Sequence, residues 1–263
     1  MAAMSFDSLP IWAFFLGTIL IVMASIEVGY HLGTVAHKSE DEKESPVSGV
    51  SGAILALTAF MLAFTFGIVS DRYDARKGLV REDANALRTT YLRAAFLPEP
   101  DRTETRRLLK QYLDLRLAFA RGDRVDPEQL RATQIQTSRI QGRLWDIAVA
   151  HGGRDLNSDV AALYIESLNE VFTIHATRIA VGVQARIPME IWLVLYGLVI
   201  LGMMSIGYHT GIAGSKRSNA GFILALSFAM VIVVIASLDR PGAYVRVSQQ
   251  PLADLRAFMA ADR

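Results

Sequence analysis

The 263-residue chain is 52% hydrophobic and 20% charged, with a net charge of +1 and no cysteine. The missing cysteine excludes disulfides, thiol catalysis and thiolate metal sites. The net charge excludes nothing by itself, because it averages regions of different sign.

The leader carries Asp7 and no lysine or arginine, and an apolar stretch follows from Ile11 to about Leu32. A secretory signal peptide needs a basic leader and an apolar core of roughly 7–15 residues, so this stretch is expected to be a retained span. A second apolar stretch covers Val50 to Ser70. After a long middle rich in arginine come a third, Pro188 to Tyr208, and a fourth, Gly221 to Leu238. Each approaches the roughly 20 residues that cross a hydrocarbon core about 30 Å thick. None shows the polar stripe of a soluble helix, so the chain reads as an all-α integral membrane protein with four spans. The first pair lies within residues 1–70 and the second within 188–238.

Between the pairs, residues 71–187 read as a helical domain. No breaker except Gly78 follows the second span before Pro98 and Pro100, so that span is expected to continue as one long helix. Asp101 with Glu104 predicts a capping box opening a helix through about Arg121. Asp126-Pro127 predicts the start of the next helix, and Gly152-Gly153 its close. Asn157-Ser158 predicts the start of another. Residues 239–263 read as a tail. No hairpin turn flanked by alternating segments occurs anywhere.

Orientation follows from basic residues near the span ends. Arg72, Arg76, Lys77, Arg81, Arg178, Arg186, Arg240 and Arg246 share one face, while Lys38, Lys43, Lys216 and Arg217 share the other, the first two among acidic neighbours. The bias predicts that both termini and the middle domain are cytoplasmic, in a bacterial inner membrane.

Chemistry-bearing patterns are few. The histidines at 31, 37, 151, 175 and 209 have no metal-ligand spacing. The glycines form no phosphate-binding loop, and no Gly-x-Ser-x-Gly elbow occurs. Acidic residues accompany the arginines without stacking aromatics between them, which argues against a nucleic-acid surface. No enzyme activity, cofactor or metal is expected.

Phe60 and Phe64 are four apart on the second span and lie one above the other, with Leu57 and Gly67 on the same face. Ala56, Ala59 and Ala63 form an adjacent small-residue ridge that permits close helix contact. If several subunits bring this face to an axis, the phenylalanines make a hydrophobic neck that gates by dewetting. The alternative is packing against neighbouring spans or lipid. Glu27, in the first span, is either an ion-facing group or an interfacial carboxylate held by a partner.

The segment from Leu62 to Pro100 contains Phe64-Thr65-Phe66, Arg72-Tyr73-Asp74-Ala75-Arg76, Asp83-Ala84-Asn85-Ala86 and Tyr91-Leu92-Arg93 before a proline-rich stop. With Ser167-Leu168-Asn169, His175, Arg178, Arg186-Ile187-Pro188 and Leu238-Asp239-Arg240-Pro241, it resembles a bacterial family of bestrophin-like membrane proteins. The resemblance reaches more remotely to the bestrophin ion channels. It implies a symmetric homo-oligomer, a pentamer in bestrophins, with the helical cytoplasmic domain inserted between the second and third spans. The second span would line a pore for small inorganic ions, chloride or other small anions, with Leu57, Phe60, Phe64 and Gly67 placed to form its neck. The acidic calcium clasp of animal bestrophins has no counterpart here. Two other readings stay open: a membrane scaffold or sensor docking a cytoplasmic partner, and a proton-driven stator-like subunit.

Overall fold

The computed structural model describes residues 10–37, 44–121, 127–215, 220–240 and 245–262. Among them the regular structure is helical throughout: α1 (Ile11–His37), α2 (Glu44–Arg93), α3 (Asp101–Arg121), α4 (Pro127–Arg154), α5 (Asp159–Ile179), α6 (Met189–Ile212), α7 (Ala220–Asp239) and α8 (Gln250–Ala261). Helices α1, α2, α6 and α7 are long and apolar enough to cross a membrane. The chain divides into two compact units, residues 1–71 with 186–240 and residues 72–185 with 241–263.

In the first unit, α1 and α6 approach backbone to backbone through two copies of one pattern, Gly29-Tyr30-His31-Leu32-Gly33 and Gly207-Tyr208-His209-Thr210-Gly211. A Cβ on Gly29 would fall on the Met204 carbonyl, and one on Gly33 on the Tyr208 carbonyl. Reciprocally, Gly207 faces the Ile26 carbonyl, and a Cβ on Gly211 would come within 2.5 Å of the Tyr30 carbonyl oxygen. Between apolar helices in lipid, packing replaces the hydrophobic drive, and glycine at four-residue spacing permits the closest packing. This contact also explains why α1 and α6 outrun the apolar stretches seen in the sequence. Gly214 then ends α6 in the left-handed region (φ 64°), with its N–H on the Gly211 carbonyl. On α2, Ser51, Thr58, Leu62, Thr65 and Val69 form the buried stripe. Ser51 Oγ lies 2.6 Å from Ser205 Oγ, and Thr58 Oγ1 donates to the Ile54 and Leu198 carbonyls.

The expected long helix forms: α2 is unbroken from Glu44 to Arg93. A 3-10 turn, Ala94–Phe96, finishes it, and Leu97 is extended, as a residue before proline must be. The second unit packs Leu87 and Tyr91 of α2, Leu109 and Leu113 of α3, Leu144 of α4, and Tyr164, Leu168 and Val171 of α5 into one core.

Three expectations need correction. The Asp101/Glu104 capping box is not how α3 is held. Glu99 Oε2 accepts the Thr103 N–H, while Asp101 Oδ2 pairs with His151 Nε2 at 2.7 Å and Glu104 takes Arg143 in a two-point ion pair at 2.8 and 3.0 Å. Both acids are spent on α4 instead of on local N–H groups. Gly152 and Gly153 do not close α4, which continues to Arg154. Residues 155–158 then separate it from α5, at whose start Ser158 Oγ accepts the Ala161 N–H. The stretch 239–263 is not simply a tail, since Leu252, Leu255 and Met259 of α8 are buried in the core of the second unit. Pro251 in its first turn costs no hydrogen bond. The expected α4 cap, Asp126, lies outside the described residues.

Candidate functional site

The sector of α2 opposite its buried stripe is exposed. Phe60 and Phe64 are 65% and 56% exposed, with ring centroids 6.5 Å apart and nearly parallel planes. Leu57 is exposed beside them and Gly67 is half-buried below. Ala56, Ala59 and Ala63 are also exposed, so aromatic stripe and small ridge run side by side on one outward sector. A Cβ at Gly49, Gly52 or Gly67 would meet nothing within 4 Å. These glycines therefore serve no close approach within the described chain, unlike those of α1 and α6.

Glu27 pairs with His31 one turn on, at 3.1 Å, both side chains exposed on the helix surface. Its carboxylate thus has a partner that sequence reasoning did not identify, although Glu27 and His31 sit four apart, on one helical face.

In the second unit, His175 and Arg178 come together around Asp83, which the sequence places in a family motif without a role of its own. Arg178 Nη1 donates to Asp83 Oδ2, and Arg116 Nη1 stands 3.9 Å from the same oxygen. Arg178 Nη2 donates to Gln249 Oε1 at 3.2 Å, which brings in the segment opening α8. Arg116 Nη2 donates to Tyr112 Oη at 2.6 Å, and the His175 ring stands edge-on to Tyr112. Asp83 has no exposed surface. Burial, with Arg116 and Arg178 nearby, pushes the His175 imidazole down to about 4. Burial also lowers Arg178, against the pull of Asp83, and raises Tyr112. Asn85, singled out from the same motif, is exposed, as are Asn169 and Asp74. The signal for Asp83 was present in its position: with Val80, Leu87 and Thr90 it marks the buried face of α2 at helical spacing.

The other motif positions fall elsewhere. Arg76 Nε donates to the Arg72 carbonyl one turn back. In the first unit, the Ile187 N–H donates to Asp239 Oδ1 at 3.0 Å, and the Arg240 guanidinium stacks 4.4 Å over the Phe14 ring. Asp239 and Arg240 are buried, Arg186 is half-buried and Pro188 is exposed. Pro241 lies outside the described residues. Among the described residues, no group of three or more histidine or carboxylate side chains is placed to hold a metal ion.

Comparison with known proteins agrees with this architecture. A family model described as Bestrophin-like domain matches residues 15–252. The chain is similar in fold to a crystal structure of a bacterial bestrophin homologue from Klebsiella pneumoniae carrying a point mutation, with a TM-score of 0.58 and 17% identity. That likeness covers 96% of this chain and 98% of the other. A crystal structure of a membrane protein variant gives a TM-score of 0.60 at 17% identity, over 96% of both chains. No curated protein matches significantly.

Proposed function

The chain belongs to the bestrophin-like domain family, and from that premise we propose that it is one subunit of a homo-oligomeric ion channel in the bacterial inner membrane. The subunits form a ring with α2 innermost, five of them as in bestrophins, and the pore conducts chloride or other small anions. The observation that carries this reading is the outward sector of α2. Two stacked phenylalanines and a ridge of small residues stand side by side, all exposed among the described residues. A closed ring gives each a place: aromatics toward the axis, small residues against the neighbouring copy. Phe60 and Phe64 then form an apolar neck that closes by excluding water, without a charged gate. The arginine-rich ends of the spans favour an arrangement with both termini and the helical second unit in the cytoplasm.

Reconstitution of the purified protein in liposomes tests this function. Halide efflux above that of protein-free vesicles is the expected result. Efflux equal to the background, from a preparation assembled as a ring, would count against it.

A further inference from the structure

The outward sector of α2 ends in a charge. Asp71 lies seven residues beyond Phe64 and eleven beyond Phe60, nearly two turns and just over three. At about 100° per residue, these spacings bring Asp71 to within about 20° of either phenylalanine around the helix axis. It is exposed, as they are. At a rise of 1.5 Å per residue it sits about 10 Å past Phe64 along the helix.

No charged residue occurs on α2 from Ser48 to Ser70, so Asp71 is the first that the sector meets. Among the described residues no hydrogen bond or ion pair engages its carboxylate. The basic residues that follow, Arg72, Arg76 and Lys77, lie about 100° or more around the helix from it, and the nearer Asp74 is acidic. The apolar pair Phe60 and Phe64 is therefore flanked unequally: uncharged residues toward Ser48, an unpaired carboxylate toward Asp71.

Given α2 as the lining of the pore, the reading on which this rests, we propose that Asp71 makes halide flow directional. Subunits that bring Phe60 and Phe64 to an axis bring Asp71 to it as well, and each copy adds one carboxylate to a ring at the cytoplasmic mouth. Charge of one sign around a narrow opening depletes ions of that sign there. The Debye length near physiological salt is about 8 Å, so the field fills the mouth and fades before Phe64. The ring thus slows the entry of anions from the cytoplasmic side without closing the neck to them. Anions from the other side pass the uncharged sector before they reach Phe60. At equal and opposite driving forces, more halide moves into the cytoplasm than out of it.

Single channels in planar bilayers with symmetric chloride test this, because each inserted channel keeps one orientation. The currents at opposite voltages are expected to differ roughly twofold or more at about 0.1 M salt, and to become equal at about 1 M, where the Debye length falls to about 3 Å. Asp71→Asn should bring their ratio most of the way to one. Glu190→Gln, which removes an exposed carboxylate from α6 instead, should leave it as in wild type. Asp71→Cys, in a chain with no other cysteine, gives the sign. A thiol reagent bearing a sulfonate should restore the wild-type ratio in a channel under observation, and one bearing a trimethylammonium should invert it. A ratio unchanged by Asp71→Asn, in channels that still conduct, would overturn the role of Asp71 and leave the channel reading standing. Wild-type currents that are symmetric at low salt, or asymmetric to the same degree at high salt, would overturn it without any variant. Reversal at the cation equilibrium under a salt gradient would mean that cations carry the current, and overturn the brake on anions. No halide current from wild type would overturn the channel reading, and the role of Asp71 with it.

Discussion

Arg178 on α5 donates to Asp83 on α2, 95 positions earlier in the chain, and that carboxylate has no exposed surface. Arg116 on α3 shares the same oxygen, and Gln249 engages the other side of Arg178. One aspartate thus offsets two guanidiniums where α2, α3, α5 and the start of α8 meet. Removing one member of a buried ion pair leaves its partner uncompensated, at a cost of about 3–5 kcal/mol. Asp83→Asn, nearly equal in volume, is expected to lower the unfolding midpoint sharply, while Asn85→Ala on the exposed side of the same turn leaves it nearly unchanged. Thermal unfolding of the purified variants decides between this and a passive Asp83, for which the two would shift alike.

The spans were legible in the sequence because a hydrocarbon core imposes a length and bars unpaired polar groups, and both demands are written along the chain. The long α2 was legible for a related reason, since few breakers precede Pro98. The partners of Asp101, Glu104 and Asp83 were not. A carboxylate near a helix start can accept local N–H groups or reach a distant cation, and spacing alone does not distinguish the two. Gly29/Gly33 and Gly207/Gly211 carried a visible signal, the repeated Gly-Tyr-His-x-Gly pattern. That the two copies face each other is a tertiary fact. The outward sector of α2 was legible as a face, because four-residue spacing stacks Phe60 on Phe64.

His175 is expected to make stability pH-dependent. Its imidazole is pushed down to about 4 in the fold, by burial first and then by Arg116 and Arg178, against an ordinary value near 6.5. Between those values the unfolded chain binds the proton and the folded chain does not, so stability rises with pH across that window and is lost as pH falls through it. His175→Gln is expected to flatten the unfolding midpoint between pH 4 and pH 6.5. A variant that retains the full wild-type slope would show that other groups carry it.

Glycines on the two sides of the first unit should respond differently to substitution. Gly207→Ala drives a methyl onto the Ile26 carbonyl and is expected to cost about 1–3 kcal/mol through overpacking. At Gly52 an added Cβ meets nothing within 4 Å among the described residues, so Gly52→Val should fold, but it thickens the small-residue ridge of α2. Sedimentation in detergent is expected to show a folded Gly52→Val chain with weakened self-association. A Gly52→Val chain that assembles like wild type would place the ridge outside the subunit contact.

Topology can be read with introduced cysteines, since the chain has none of its own. Leu156, 91% exposed between α4 and α5, and Ser39, in the connection after α1, are suitable positions. In intact cells an impermeant thiol reagent is expected to label position 39 and spare position 156 until the membrane is opened. The reverse pattern would invert the arrangement.

In the proposed channel, α2 lines a pore whose neck is Phe60 and Phe64. Replacing both by alanine removes the apolar constriction while leaving the buried stripe of Ser51, Thr58, Leu62, Thr65 and Val69 intact. The direct measurement is halide flux through liposomes carrying the double variant, Phe60→Ala with Phe64→Ala, matched to wild type for protein content and oligomer size. Flux well above wild type is the result this account predicts, because a wider, wetter neck no longer excludes ions. Flux identical to wild type, from an equally assembled double variant, would contradict it.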